Sequence, residues 1–231
     1  YYLNIENNTM ALSFANASTD KVDCGSPSDL DNMTQFTVWM WVKIDTALGV
    51  ARIFASKGNT SSNGWRFIRS STNLLSLLVI SSPTPNWSSG GTTTLVLNTW
   101  YFIAATFNSG AAGADARTYL GTLRTAVAEE TSGAVDGTTQ TDDSARPFEW
   151  GNQSGIGSFS IGADIAYCGL VKRVLTLGEL RGLQFKPRVI PDTKIFMNLG
   201  YSGSGNQPDL SGNGNIGVVT NATVAAHVPI R

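Results

Sequence analysis

The run Phe36-Thr37-Val38-Trp39-Met40-Trp41-Val42-Lys43-Ile44 alternates with period two. Phe36, Val38, Met40, Val42 and Ile44 take every second position, with Thr37, Trp39, Trp41 and Lys43 between them. On a helix those aliphatics would scatter around the cylinder; on a strand they gather into one stripe, so the run is predicted to be a strand. Trp100-Tyr101-Phe102-Ile103-Ala104-Ala105-Thr106-Phe107 is apolar on both faces. Such a strand belongs in the middle of a sandwich, its second side covered by loops or by a bent neighbouring sheet. Further strands are predicted at Met10–Phe14, Lys21–Cys24, Ala51–Ser56, Trp65–Ser70, Leu74–Ile80, Thr93–Leu97, Thr118–Leu120, Ser158–Ile161 and Leu170–Leu175. Turn clusters at Lys57-Gly58-Asn59, Ser62-Asn63-Gly64, Ser81 to Gly91 and Asn108 to Gly113 separate them. Many short strands at this spacing indicate an all-β chain, a two-sheet antiparallel sandwich of jelly-roll type.

One short helix is predicted near 176–183. Thr176-Leu177-Gly178-Glu179 matches a capping box, Leu180 and Leu183 then share a face, and Pro187 prevents continuation. Beyond it Ile195 to Leu199 reads as a strand, Gly200 to Gly217 as a Gly/Asn/Ser-rich loop and Ile216 to Thr223 as a final strand. The whole chain, 1–231, reads as one domain, with 187–231 an extension that packs back on it or onto a neighbour. Its aliphatics favour return.

Charged residues are only 14% of the 231, and sixteen basic residues against seventeen acidic ones leave a net charge of −1. The polar surface must come from Ser, Thr, Asn and Gly. Such a balance argues against electrostatic capture of nucleic acid or anionic lipid, since both need a basic face. The longest mainly apolar stretch, Leu74 to Ile80, is too short to span a bilayer, so no membrane insertion is expected. The chain opens at Tyr1 without a basic segment ahead of an apolar core: either a leader was removed or this is part of a longer product. Cys24 and Cys168 are too few for a disulfide framework or a cysteine-rich zinc site. A bridge between them would add about 4–5 kcal/mol by restricting the unfolded chain; two small buried thiols are the alternative. Sequons at Asn7, Asn16, Asn32, Asn59, Asn86, Asn152 and Asn221 lean toward an exterior setting.

The chain resembles the laminin-G-like, concanavalin-A-like lectin and glucanase family over roughly residues 10–220. Ala11-Leu12-Ser13-Phe14 and Asp20-Lys21-Val22-Asp23-Cys24-Gly25 are similar to its opening strands, and Phe36 to Lys43 to its tryptophan strand. Ile53-Phe54, Lys57-Gly58 and Gly64-Trp65-Arg66 follow in order. Asn98-Thr99-Trp100-Tyr101 leading to Ala104-Ala105-Thr106 is the most specific match. Ile161-Gly162-Ala163, Gly169-Leu170, Arg173-Val174-Leu175-Thr176 and Glu179-Leu180 resemble the closing strand and helix. Asp209-Leu210-Ser211-Gly212-Asn213-Gly214-Asn215 is similar to a tail found after this domain in phage and metagenomic proteins. Members often carry acidic residues after the closing-strand glycine, where this chain has Leu170-Val171-Lys172-Arg173, which puts a calcium site that needs them in doubt.

Catalysis is not expected. Sandwich glucanases need carboxylates at alternate positions of one strand. The pair at that spacing, Asp29 and Asp31, sits in a Ser-Pro-Ser-Asp-Leu-Asp turn and reads as a solvated loop. His227, the single histidine, is too isolated for a Ser-His-Asp or Cys-His centre. One structural Ca2+ is a possible cofactor: Asn16, Asp20 and Asp23 lie near the first turn, and the resemblance implies that Asp164 lies near them. The alternative is that these side chains bond turn backbones. Asp209-x-Ser211-x-Asn213-Gly214 reads as a tight polar turn. Glycan binding needs an exposed ring with a polar rim. Trp87, beside Asn86 in Pro85-Asn86-Trp87-Ser88, is the first candidate, and Trp150, flanked by Glu149 and Asn152, the second. Trp39, Trp41 and Trp100 read as core; Trp65 fits either role. Exposed tryptophans serve protein contacts equally. Two readings follow: a non-catalytic glycan- or cell-surface-binding module, or a structural assembly subunit such as a capsid decoration, fibre or filament. Both imply an extracellular or virion-surface setting.

Overall fold

The computed structural model describes residues 10–16, 19–47, 49–59, 62–81, 87–110, 116–130, 132–135, 140–153 and 159–230. In chain order the strands are β1 (Met10–Phe14), β2 (Lys21–Asp23), β3 (Gln35–Ile44), β4 (Arg52–Asn59), β5 (Asn63–Arg69), β6 (Leu75–Val79), β7 (Trp87–Gly90) and β8 (Trp100–Asn108). There follow β9 (Ala116–Thr122), β10 (Ala128–Glu129), β11 (Ser132–Val135), β12 (Phe148–Trp150) and β13 (Ala163–Val171). Helix α1 (Leu177–Phe185) precedes β14 (Thr193–Asn198), β15 (Val218–Thr220) and β16 (Thr223–Ala226). Sheet I runs β10-β9-β8-β3-β13-β1-β16, with β14 also paired to β13; sheet II runs β11-β7-β6-β5-β4-β12-β2-β15. Each strand pair in both sheets is antiparallel.

The alternation of β3 sorts its side chains between two cores. Phe36, Val38, Met40, Val42 and Ile44 enter the core between the sheets, with Phe54, Trp65, Phe67, Phe148 and Trp150 of sheet II. Trp39 and Trp41 point the other way, into a second apolar layer with Phe102, Leu175, Leu180, Leu183 and Val228. The outer side of β8 is therefore covered by α1 together with the irregular segments that carry Val127, Leu175 and Val228, so loops share the cover with a helix that was not anticipated there. Gly169 makes this possible: a Cβ there would stand 2.6 Å from the indole nitrogen of Trp39. Gln184, fully buried, locks the helix down. Its Oε1 accepts from Val127 N at 2.7 Å, its Nε2 donates to the carbonyls of Thr122 and Thr125, and its own carbonyl accepts from Trp41 Nε1 at 3.0 Å.

Helix α1 begins with the expected capping box between Thr176 and Glu179. Several strands depart from expectation. Residues 93–97 form no strand; Leu95 is buried and its N–H bonds the carbonyl of Asn73. The closing strand is Ala163–Val171 rather than Ser158–Ile161 and Leu170–Leu175, and Ser160 makes only a single bridge to Ile53. The final segment splits into β15 and β16 because Asn221 turns the chain at φ 58°. The tail returns: β14 pairs with β13, β15 with β2 and β16 with β1. Cys24 and Cys168 are free, buried thiols, and burial raises the pKa of both well above the usual thiol value.

Candidate ligand-binding face

Helix α1 and the tail cover much of the outer face of sheet I, leaving a cleft there between Thr106, Arg117, Tyr119, Glu129 and the 174–177 segment; the outer face of sheet II carries a different set of polar groups. Side chains directly opposed across neighbouring strands share a face. On that rule one row crosses sheet II: Val218, Asp23, Glu149, Ser56, Arg66, Leu78. These positions alternate with the inward Val22, Trp150, Ala55, Trp65 and Val79, so the row faces outward.

Glu149 is fully buried at the centre of this row. Lys21 Nζ donates to its Oε1 at 2.6 Å and to Asp23 Oδ2 at 2.9 Å, whereas its Oε2 has no partner. Burial raises the Glu149 pKa against the pull of Lys21, and Asp23 opposite adds repulsion. Burial disfavours the Lys21 ammonium, but Glu149 and Asp23 outweigh it and hold that pKa above the ordinary lysine value. Arg66, half-buried, has an Nε without a partner, and burial lowers its pKa. Within the row, Ser56 Oγ donates to the carbonyl of Asn152 at 2.9 Å, and Asn152 Nδ2 reaches the carbonyl of Asp20 at 3.2 Å. Gln153 is 3% exposed, yet neither end of its amide has a partner. Buried polar atoms are normally satisfied. Glu149 and Arg66 on this face, and Gln153 just beyond β12, thus carry polar atoms that the chain itself does not meet.

Glu149 and Asn152 are both buried, at and beside this face, rather than arranged around an exposed ring. Trp150 corrects the expectation of a platform. It lies at 0% exposure, its ring edge-on to Phe148 at 4.6 Å, because β12 alternates and turns Glu149 outward instead. Trp65 is core as well, stacked on Phe36 at 4.5 Å. Trp87 opens β7 opposite Val79; its side chain and Asn86 lie outside the described residues. Arg66 and Gln153 escaped the sequence reading. Arg66 had a signal, standing out of phase with inward Trp65 and Phe67.

The expected calcium ligands do not form one group. Asp164 pairs with Lys43 at 2.7 Å on the outer face of sheet I, while Asp23 sits on the outer face of sheet II with Lys21. Asp20 accepts from Ala15 N, and Asn16 Oδ1 accepts from Arg52 Nε. Among the described residues no three His, Cys, Asp or Glu side chains gather as a metal centre. These residues do not fit a calcium ion. Asp31 is more than a solvated carboxylate: it accepts from buried Lys57 at 2.8 Å, while Asp29 pairs with Lys194 at 3.1 Å. Asp209 forms the tight turn expected, accepting from Phe196, Ser211 and Asn215 N–H groups. His227 packs edge-on against Tyr167 at 4.7 Å, and burial lowers its pKa.

A laminin-G-type family model, described as the concanavalin A-like lectin/glucanases superfamily, matches residues 16–180. The chain belongs to that superfamily. Among solved structures, this superfamily member is similar to a protein of Bacteroides ovatus ATCC 8483 put forward as carbohydrate-binding: TM-score 0.68, 17% identity, covering 96% of this chain and 61% of that one. It thus spans 61% of that chain's length. It is also similar to the native heptameric SAP-like pentraxin of Limulus polyphemus, with TM-score 0.61, 12% identity and coverage of 96% and 97%. The IT-sialidase CBM40 of Ruminococcus gnavus aligns at TM-score 0.54 and 11% identity, over 74% of this chain and 96% of that one. A search of curated proteins gives no match. Among the described residues no helix is long and apolar enough to cross a membrane.

Proposed function

We propose that this lectin-superfamily sandwich is a non-catalytic glycan-binding module whose ligand lies across the outer face of sheet II. The observation that carries the reading is the set of unpartnered polar atoms on Glu149 and Arg66, which share the outer face of sheet II, and on Gln153 just beyond β12. Sugar hydroxyls both donate and accept, which matches a mixed set of carboxylate, guanidinium and amide. Half-buried Arg66, Lys21 and Asp23 are the groups a ligand reaches first, and Glu149 beneath them orients Lys21. The superfamily membership and the Bacteroides neighbour support the same reading. Catalysis is disfavoured by burial: Glu149 has no exposed surface and Lys21 holds both it and Asp23, so neither is placed to protonate a glycosidic oxygen. The setting that suits such a module is extracellular or on a virion surface. A glycan array followed by titration tests the reading. Saturable binding that weakens about tenfold or more in Arg66→Ala and Gln153→Ala, with unfolding unchanged, is expected; binding abolished by Trp87→Ala alone would move the site to the β7 loop.

A second reading rests on the exposed apolar side chains of the tail. Tyr201, Leu210, Ile216, Val218 and Val224 are each more than 40% exposed, which suits a subunit of a larger assembly. Self-association without binding to any glycan would favour it.

A further inference from the structure

We propose that Arg52 and Arg69, at one end of the inter-sheet space, form an oxyanion site that takes a carboxylate, phosphate or sulfate group. The two residues oppose each other directly across β4 and β5. Arg69 is in phase with Trp65 and Phe67, so it enters the space between the sheets, away from the outward row of sheet II. The inference therefore stands apart from the glycan-binding reading.

Arg69 is 0% exposed and Arg52 9% exposed. Arg69 Nη1 donates to the carbonyl of Thr46 at 2.8 Å, while its Nε and Nη2 have no partner. Those two nitrogens carry the parallel N–H bonds of one guanidinium edge, the fork that grips two oxygens of an oxyanion at once. Arg52 Nε donates to Asn16 Oδ1 at 3.0 Å and its Nη1 to the carbonyl of Ala51 at 3.3 Å, and its guanidinium lies 5.8 Å from the Phe159 ring centre. Each of these acceptors is neutral. Among the described residues no carboxylate lies within ion-pair distance of either arginine.

The other end of β4 shows how this fold treats a buried cation when the chain neutralises it internally. Lys57, also 0% exposed, is met by Asp31 at 2.8 Å, by the carbonyls of Asp143 and Arg146 at 3.0 Å, and by the Asp143 carboxylate at 3.6 Å. The arginine end carries two cations and no such answer. Burial and the neighbouring Arg52 push the Arg69 pKa down to about 10, with Asp45 opposing. Two adjacent buried cations are costly unless an anion is shared between them. Asn16 and Ala51, which accept from Arg52, and Thr46, which accepts from Arg69, are part-exposed, and Arg52 is the less buried of the two cations, so the pair lies close beneath solvent.

The test titrates the intact chain with sodium sulfate, sodium phosphate, glucuronate and neutral glucose at constant ionic strength, by calorimetry and by thermal unfolding. Saturable heat and a raised unfolding temperature are expected with at least one oxyanion and none with glucose. The affinity should fall about tenfold or more in Arg52→Gln and in Arg69→Lys, which keeps the charge but loses the fork. Glucuronate binding more tightly than the inorganic ions would identify an acidic sugar as the source; the reverse order would identify a free ion or an ester of one. No saturable response of the natural protein to any oxyanion overturns the proposal, whatever the variants do. So does a response that Arg52→Gln leaves intact.

Discussion

Trp150 shows how one side chain's role depends on which way a three-residue strand faces. Its indole fills the main core against Phe148, so Trp150→Ala removes packed volume rather than a binding surface. A loss of about 3–5 kcal/mol in chemical denaturation is expected, with ligand affinity of the surviving folded fraction unchanged. A selective loss of binding at unaltered stability would return Trp150 to the surface role. The flanking Glu149, Gly151, Asn152 and Gln153 give the sequence a loop-like polarity there, and three residues are too few for period two to assert itself. Longer windows were legible: Trp39 and Trp41 were separable from Phe36, Val38 and Met40 at sight. What remained hidden was the face beyond the strand. The outer side of β3 meets a helix well over a hundred residues later, a partnership no local pattern encodes.

Helix α1 was readable nearly to the residue because its start signal is chemical. Thr176 and Glu179 satisfy each other's backbone N–H groups at 3.3 and 2.8 Å, and Arg173 adds a two-nitrogen grip on the same carboxylate. Arg173, with Thr176 behind it, holds the Glu179 pKa down to about 2. The sign follows from that depression. The stabilisation is complete above the ordinary glutamate range near 4.5 and is lost as pH falls through about 2. Glu179→Gln should cost about 1 kcal/mol at neutral pH, since the group is part-exposed and solvent screens it. The gap between variant and natural protein should then close on acidification, as thermal unfolding across pH 7 to 2 would read. A gap independent of pH would mean the carboxylate's charge contributes nothing. Strand boundaries were less legible for a matching reason: they are set by partners. Residues 93–97 have strand-like composition but find no ladder, while the short β10, β11 and β12 have little composition of their own and are strands because a neighbour pairs with them.

At the scale of the molecule, the last hairpin joins the two sheets. β15 extends sheet II along β2 and β16 extends sheet I along β1, so the turn at Asn221 carries the chain from one layer to the other. Val219 packs against the main core, Ala222 is buried, and Val228 beyond β16 belongs to the layer over sheet I. The sequence showed aliphatics wanting burial in this segment, but not that it divides between two sheets, because pairing across two hundred residues leaves no local trace. Removing residues 218–231 would strip a strand from both sheets on the same side and bare the backbone of β1 and β2. Unpaired edges recruit other chains. The truncated protein should therefore associate with rising concentration and unfold at lower temperature, measurable by light scattering and calorimetry. If it stayed monomeric with unchanged unfolding, the hairpin would be an appendage and closure of the sandwich would rest on the older strands alone. The comparison also bears on assembly. Ile216, Val218 and Val224 lie exposed on or beside this hairpin, so self-association of the intact chain would be expected to weaken on Val218→Lys and Val224→Lys. Association of the truncated chain through bare backbone would not respond, since those side chains are gone from it.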